Sequence, residues 1–171
     1  GWSHSIGNMA RTVAESHREW PRYLSRVRTL VSFFRNATWR KWIKRAITMG
    51  HLHERLPEGF ALDVLDRFSC TIAKWRYQTI AHAFACLLKL RSICKLVRIE
   101  WFASAQDKEF VAEALRAMND EDLWTFMAVA HKEIFDELET YRHWGMICEC
   151  DEHIQARREG TKHIICMWNS R

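Results

Sequence analysis

From about Cys70 to Ile99 the chain carries no glycine or proline, and its apolar residues keep helical spacing: Ile72, Trp75, Thr79, Ile80, Ala83, Phe84, Leu87, Leu88, Leu90, Ile93 and Cys94. A run of that length and period reads as helix, because strands are shorter and alternate in twos. The apolar positions spread beyond one narrow stripe, which predicts a central helix touched from several sides. Punctuation is scarce throughout, with 2 prolines and 6 glycines in 171 residues. Few turns can be built from that supply, so long helices are favoured over a multi-strand sandwich. The expected fold is all-α, an irregular bundle of about five to seven helices.

The remaining elements follow from the same period. A short helix is expected from about Met9 to Glu19, broken at Trp20-Pro21 because the residue before proline avoids the helical region. Pro21 then suits the first turn of a helix whose apolar face is Leu24, Val27, Leu30, Val31 and Phe34. Thr38 is the expected N-cap of the next helix, with Trp39, Trp42, Ile43, Ala46 and Ile47 inward and Gly50 ending it. His51 to Gly59 reads as a loop with solvent-facing histidines, followed by a brief helical turn over 60–68. Ser104-Ala-Gln-Asp107 resembles a capping box before Phe110, Val111, Ala114, Leu115 and Met118. Asn119 is the expected cap of a last helix carrying Leu123, Phe126, Met127, Ala130, Ile134, Leu138 and Tyr141. Asp120, Glu121 and Asp122 meet the positive end of its dipole, which accounts for that acid cluster without catalysis.

Charge is unevenly spread. Residues 18–48 hold nine Arg or Lys against one acid, Glu19, whereas residues 103–140 hold ten acids against three bases. The basic block points to an anionic partner, most often nucleic acid, or else to internal attraction between the two blocks. Arg22, Arg26, Arg40, Lys41, Lys44 and Arg45 are the candidate phosphate contacts, with Arg157, Arg158, Lys162 and Arg171 near the C-terminus. Trp39 and Trp42 read as core in preference to base-stacking platforms. Nothing resembles a recognition helix poised for base edges, so these contacts would give affinity and not sequence choice.

Cysteines divide into two groups. Cys70, Cys86 and Cys94 lie in apolar helical surroundings, where a free thiol acts as a small hydrophobe. The other three sit among histidines in Cys148-Glu-Cys150-Asp-Glu-His153 and His163-Ile-Ile-Cys166. Short-spaced pairs let one turn of chain supply two ligands of a tetrahedral zinc. Cys148, Cys150, His153, His163 and Cys166 offer five donors for four places, so the ligand set stays open. The polar segment between the clips, with Gly160, can loop out. This predicts a structural Zn2+ in a C-terminal knuckle and a reducing, intracellular compartment. The domain division expected is a helical bundle over 1–142 and a zinc-knuckle arm over 143–171 packed on it as one domain. No apolar run is long enough for a membrane span, and no signal-peptide pattern is present. The chain opens on Gly-Trp, which predicts a piece of a longer protein.

Catalytic signatures are missing. There is no Gly-rich phosphate loop, H-E-x-x-H or G-x-S-x-G string, and the tail lacks the glutamate and Pro-Cys-x-x-Cys partner of zinc deaminases. The expectation is a chain that is not an enzyme by itself.

Two strings carry a family resemblance. Lys74-Trp75-Arg-Tyr-Gln-Thr79-Ile, running straight into an apolar helix, resembles the basic-Trp motif of hAT-superfamily DNA transposases. His143-Trp-Gly145, the Cys-x-Cys-x2-His knuckle, His163-x2-Cys166 and Trp168-Asn-Ser-Arg resemble repetitive transposon-derived proteins of some protist genomes. The resemblance implies the helical part of a transposase, with Lys74 and Trp75 near DNA. The family's catalytic aspartates stand on strands upstream and its glutamate follows the helical insertion. Neither has a counterpart here, and the Cys-x2-His motif falls after the Trp motif instead of before it. The implied protein is a zinc-stabilised, transposase-derived DNA- or RNA-binding domain without catalytic carboxylates, nuclear if so derived. The alternative is a structural accessory subunit of a larger protein or ribonucleoprotein assembly.

Overall fold

The computed structural model describes residues 8–9, 11–13, 15–73 and 77–136. Six α-helices have defined bounds: α1 (Trp20–Arg35), α2 (Ala37–Met49), α3 (Asp63–Asp66), α4 (Tyr77–Cys94), α5 (Lys108–Met118) and α6 (Glu121–Val129). The described residues 8–9, 11–13 and 15 are helical as well, and the break expected at Trp20-Pro21 falls instead over 16–19. Short 3-10 turns cover Leu52–Arg55 and Ile99–Phe102, and α6 continues into a π-helical segment, Ala130–Asp136. Among the described residues there is no strand, and the fold is all-α.

The helix starts are set by side chains one or more positions away from those expected. Asn36, not Thr38, caps α2, because its carboxamide oxygen accepts from both the Thr38 and Trp39 amides, at 3.0 and 3.2 Å. Asp107, not Ser104, caps α5 by accepting from the Phe110 amide at 2.9 Å. Asp120, not Asn119, caps α6 through the Leu123 amide at 3.3 Å. Asn119 instead closes α5, donating its side-chain amide to the Leu115 carbonyl at 2.8 Å. In each case a carboxylate or carboxamide takes the first orphan N–H groups of the helix, the role in which these residues excel. Pro21 stands in the first turn of α1 and Gly50 closes α2, both as the spacing predicts.

The central helix is shorter than its apolar pattern. Residues 70–73 have no regular structure, and α4 begins at Tyr77. The Thr79 hydroxyl accepts from the Ala73 amide at 3.0 Å, so a side chain satisfies backbone that a longer helix would have used internally. At the other end Leu96 and Val97 remain buried in the turn after Cys94, extending the apolar pattern without extending the helix. The expected central role holds, since α4 packs against α1, α3, α5, α6 and the π-helical segment.

α1 lies along α5, and between these helices and α4 the core is aromatic. Phe33, Phe34, Phe84, Phe102 and Trp124 are all fully buried. Phe33 meets Phe34, Trp39 and Phe102 at centroid distances of 5.2, 4.9 and 5.3 Å, and Trp39 reaches Phe110 at 5.7 Å. Both α2 tryptophans therefore lean on the core, as expected, although each keeps part of its surface open. The buried Trp124 indole donates to the Met118 carbonyl at 2.8 Å, tying α6 to the last turn of α5.

Candidate nucleic-acid interface

The basic block falls on α1 and α2, and the helical wheel decides which of its cations reach solvent. On α1 the buried arc is wider than Leu24, Val27, Leu30, Val31 and Phe34 alone suggest, because Thr29 and Phe33 are buried too. That widening brings Arg26 inside the arc. It is half-buried and pairs with Asp120, the residue that caps α6. On α2, Arg40 flanks the inward Ile43 and Ile47 and donates to the Phe68 carbonyl at 2.8 Å. Lys44 reaches Asp66 at 2.5 Å. Arg26, Arg40 and Lys44 thus join α1 to α6 and α2 to the α3 region, and of the three only Arg26 meets the acidic block of residues 103–140.

The opposite faces are different. Along α1, Ser25, Arg28, Ser32 and Arg35 are exposed at spacings of three and four, which is one row on a helix. Arg28 and Arg35 stand seven residues apart, about 10 Å along the axis. Neither has an ion pair among the described residues. Arg22, at the start of the helix, pairs with Glu19 at 3.1 Å and lies over the Tyr23 ring at 5.0 Å. Along α2, Lys41 and Arg45 are exposed one turn apart, with Arg45 donating only to the Met49 sulfur at 3.2 Å. Arg28 and Arg35 are absent from the candidate contacts chosen by sequence density. The signal that finds them is angular: they sit opposite the buried arc, whereas Arg26 sits within it.

A cleft of about 380 Å3 opens where the end of α2 meets the 3-10 turn Ile99–Phe102. Trp42, Arg45, Met49, Glu100, Trp101 and Ser104 are among its lining residues. Trp101 carries no periodic signal in the sequence and is identified only by this placement.

The described cysteines are free thiols, with Cys70 and Cys94 buried and Cys86 half-buried. Burial pushes the Cys70 thiol up to about 12; the neighbouring Cys86 adds to the rise and Arg35 opposes it. Burial likewise raises Cys86 against the pull of Lys89, and raises the wholly enclosed Cys94. The folded chain keeps these protons at pH values where the unfolded chain releases them. Stability is therefore retained below about pH 9, the ordinary thiol value, and is lost as pH rises toward 12. Cys70→Ser is expected to flatten the alkaline fall in Tm over that window, and an unchanged slope would refute the assignment.

Among the described residues no three His, Cys, Asp or Glu side chains converge to hold a metal ion. The expected zinc ligands Cys148, Cys150, His153, His163 and Cys166 lie outside the described residues, as do Lys74, Trp75, Arg157 and Arg158. His51 and His53 are exposed. No described helix is long and apolar enough to cross a membrane.

Fold and surface together define an all-α domain bearing two solvent-facing cationic rows. Comparison of the chain with protein-family models, curated proteins and solved structures gives no match.

Proposed function

We propose that the chain is a helical nucleic-acid-binding domain that holds phosphates with Arg28, Arg35, Lys41 and Arg45. The observation that carries this reading is the pair of exposed cationic rows on α1 and α2, without carboxylate partners among the described residues. Arg26 and Lys44, by contrast, are paired with Asp120 and Asp66 within the fold. Ser25 and Ser32, in the same row as Arg28 and Arg35, add hydroxyl donors suited to phosphate oxygens. The zinc knuckle belongs to the same proposal, with its four ligands drawn from Cys148, Cys150, His153, His163 and Cys166. The transposase-like strings support the same partner class, and the thiolate ligands call for a reducing compartment, the nucleus under that ancestry.

Salt titration of binding to a labelled DNA or RNA duplex tests the reading. Log affinity is expected to fall linearly with log salt, and each Ala substitution at the four cations is expected to reduce the slope by about 1. A flat salt response, or no binding at low salt, would refute it. Elemental analysis tests the knuckle separately. About one zinc per chain is expected, lost in the Cys148→Ser, Cys150→Ser variant.

A further inference from the structure

We propose that the cleft between the end of α2 and the Ile99–Phe102 turn receives an unstacked base, so that the preferred ligand is a single-stranded nucleic acid. This rests on the nucleic-acid reading above and names the form of ligand that reading leaves open.

The geometry separates two kinds of contact. Lys41 and Arg45 stand one turn apart on the exposed side of α2, and Arg45 also lines the cleft, so a backbone bound along that row passes its mouth. Inside, Trp42 and Trp101 are half-buried and both line the space. Trp42 is braced on the core side by Phe102, at a centroid distance of 6.1 Å. Neither indole N–H has a hydrogen-bond partner among the described residues, unlike that of Trp124. Met49, at the mouth, is 66% exposed, an unusual position for a large apolar side chain. The volume of about 380 Å3 lies in the range of small-ligand sites, roughly 300–1,000 Å3.

Glu100 decides which part of a nucleotide enters. Glu100 is among the lining residues and is exposed, and a carboxylate there would repel a phosphate but accept hydrogen bonds from the exocyclic amine of a base. Phosphates are thus left on Arg45 and Lys41 outside, and the flat apolar part of the nucleotide is left for the indoles. A base paired within a duplex cannot turn into such a cleft without unstacking, whereas a single strand offers its bases freely.

Fluorescence anisotropy with a labelled single-stranded DNA of about twenty nucleotides and the matching duplex tests this on the full chain. The single strand is expected to bind more tightly at equal salt. Trp101→Ala is expected to weaken single-strand binding by about 5- to 150-fold, the range for loss of one stacked base, and to leave duplex binding nearly unchanged. Trp101→Phe is expected to restore part of the loss. Met49→Glu changes a side chain outside the core and adds a carboxylate at the mouth. It is expected to lower the single-strand to duplex ratio while melting like the parent. Equal affinity for both ligands, or equal losses on both in these variants, overturns the base cleft while leaving the phosphate rows intact. Absence of binding to either ligand overturns the phosphate reading and the cleft with it.

Discussion

Phe33→Ala is expected to destabilise the protein by about 3–5 kcal/mol, the usual cost of emptying a buried aromatic site. Phe33 is fully buried and joins three elements: Phe34 on its own helix, Trp39 on α2 and Phe102 on the turn before α5. Its neighbours are large rings held by further rings, Trp39 against Phe102 and Phe34 against Phe68, so they have little freedom to collapse into the gap. Domains of this kind hold only about 5–15 kcal/mol in reserve. The substitution is therefore expected to remove a large part of that reserve and to lower both the urea midpoint and Tm. Phe33→Leu, which keeps most of the volume, is expected to recover more than half of the loss. Equal melting of Phe33→Ala and the parent would place the core elsewhere.

Asp120→Ala is expected to cost about 2–4 kcal/mol, well above an ordinary surface change. One oxygen of this carboxylate accepts from the Leu123 amide and starts α6, and the other pairs with Arg26 on α1. Removing it uncaps a helix and leaves a half-buried guanidinium without its counter-charge. Asp120→Asn separates the two contributions, since a carboxamide still caps but no longer neutralises Arg26. Its expected loss is about half that of Asp120→Ala, and the Arg26→Ala, Asp120→Ala double variant is expected to be less than additive. Strict additivity in a urea series would mean that the two side chains do not act on one another.

These results bear on what the chain makes legible. The all-α class, the inward faces of α1 and α2, and the central helix all follow from spacing, because helical period and burial are the same fact seen twice. The caps do not follow in the same way. Asn36 and Thr38, Ser104 and Asp107, Asn119 and Asp120 are each pairs of good capping residues within three positions, and only the path of the chain selects one. The start of α4 is hidden for a related reason: Cys70 and Ile72 are buried or half-buried without being helical, so their apolar character mimics continued helix.

The candidate site is legible in density and illegible in detail. The cation density of residues 18–48 points to α1 and α2, but it places Arg26 among the candidate contacts and leaves out Arg28. Burial of Thr29 and Phe33 turns the first inward and leaves the second outside. Trp101 is a stronger example. It lies in a 3-10 turn between longer helices, where no period marks it, and its relation to Trp42 exists only after the chain has folded.

Under the proposed function the basic block divides into cations that build the fold and cations that would meet a ligand, and one paired measurement tests that division. Affinity for a nucleic-acid duplex at low salt and thermal stability are determined together for two variants. One carries Ala at Arg28, Arg35, Lys41 and Arg45, the other at Arg26, Arg40 and Lys44. The first is expected to melt like the parent and to lose most of its binding, with a salt slope lower by about 4. The second is expected to lose stability while the molecules that remain folded keep their salt slope within about one contact. Stable folding with full binding in the first variant, or loss of binding confined to the second, would contradict the division.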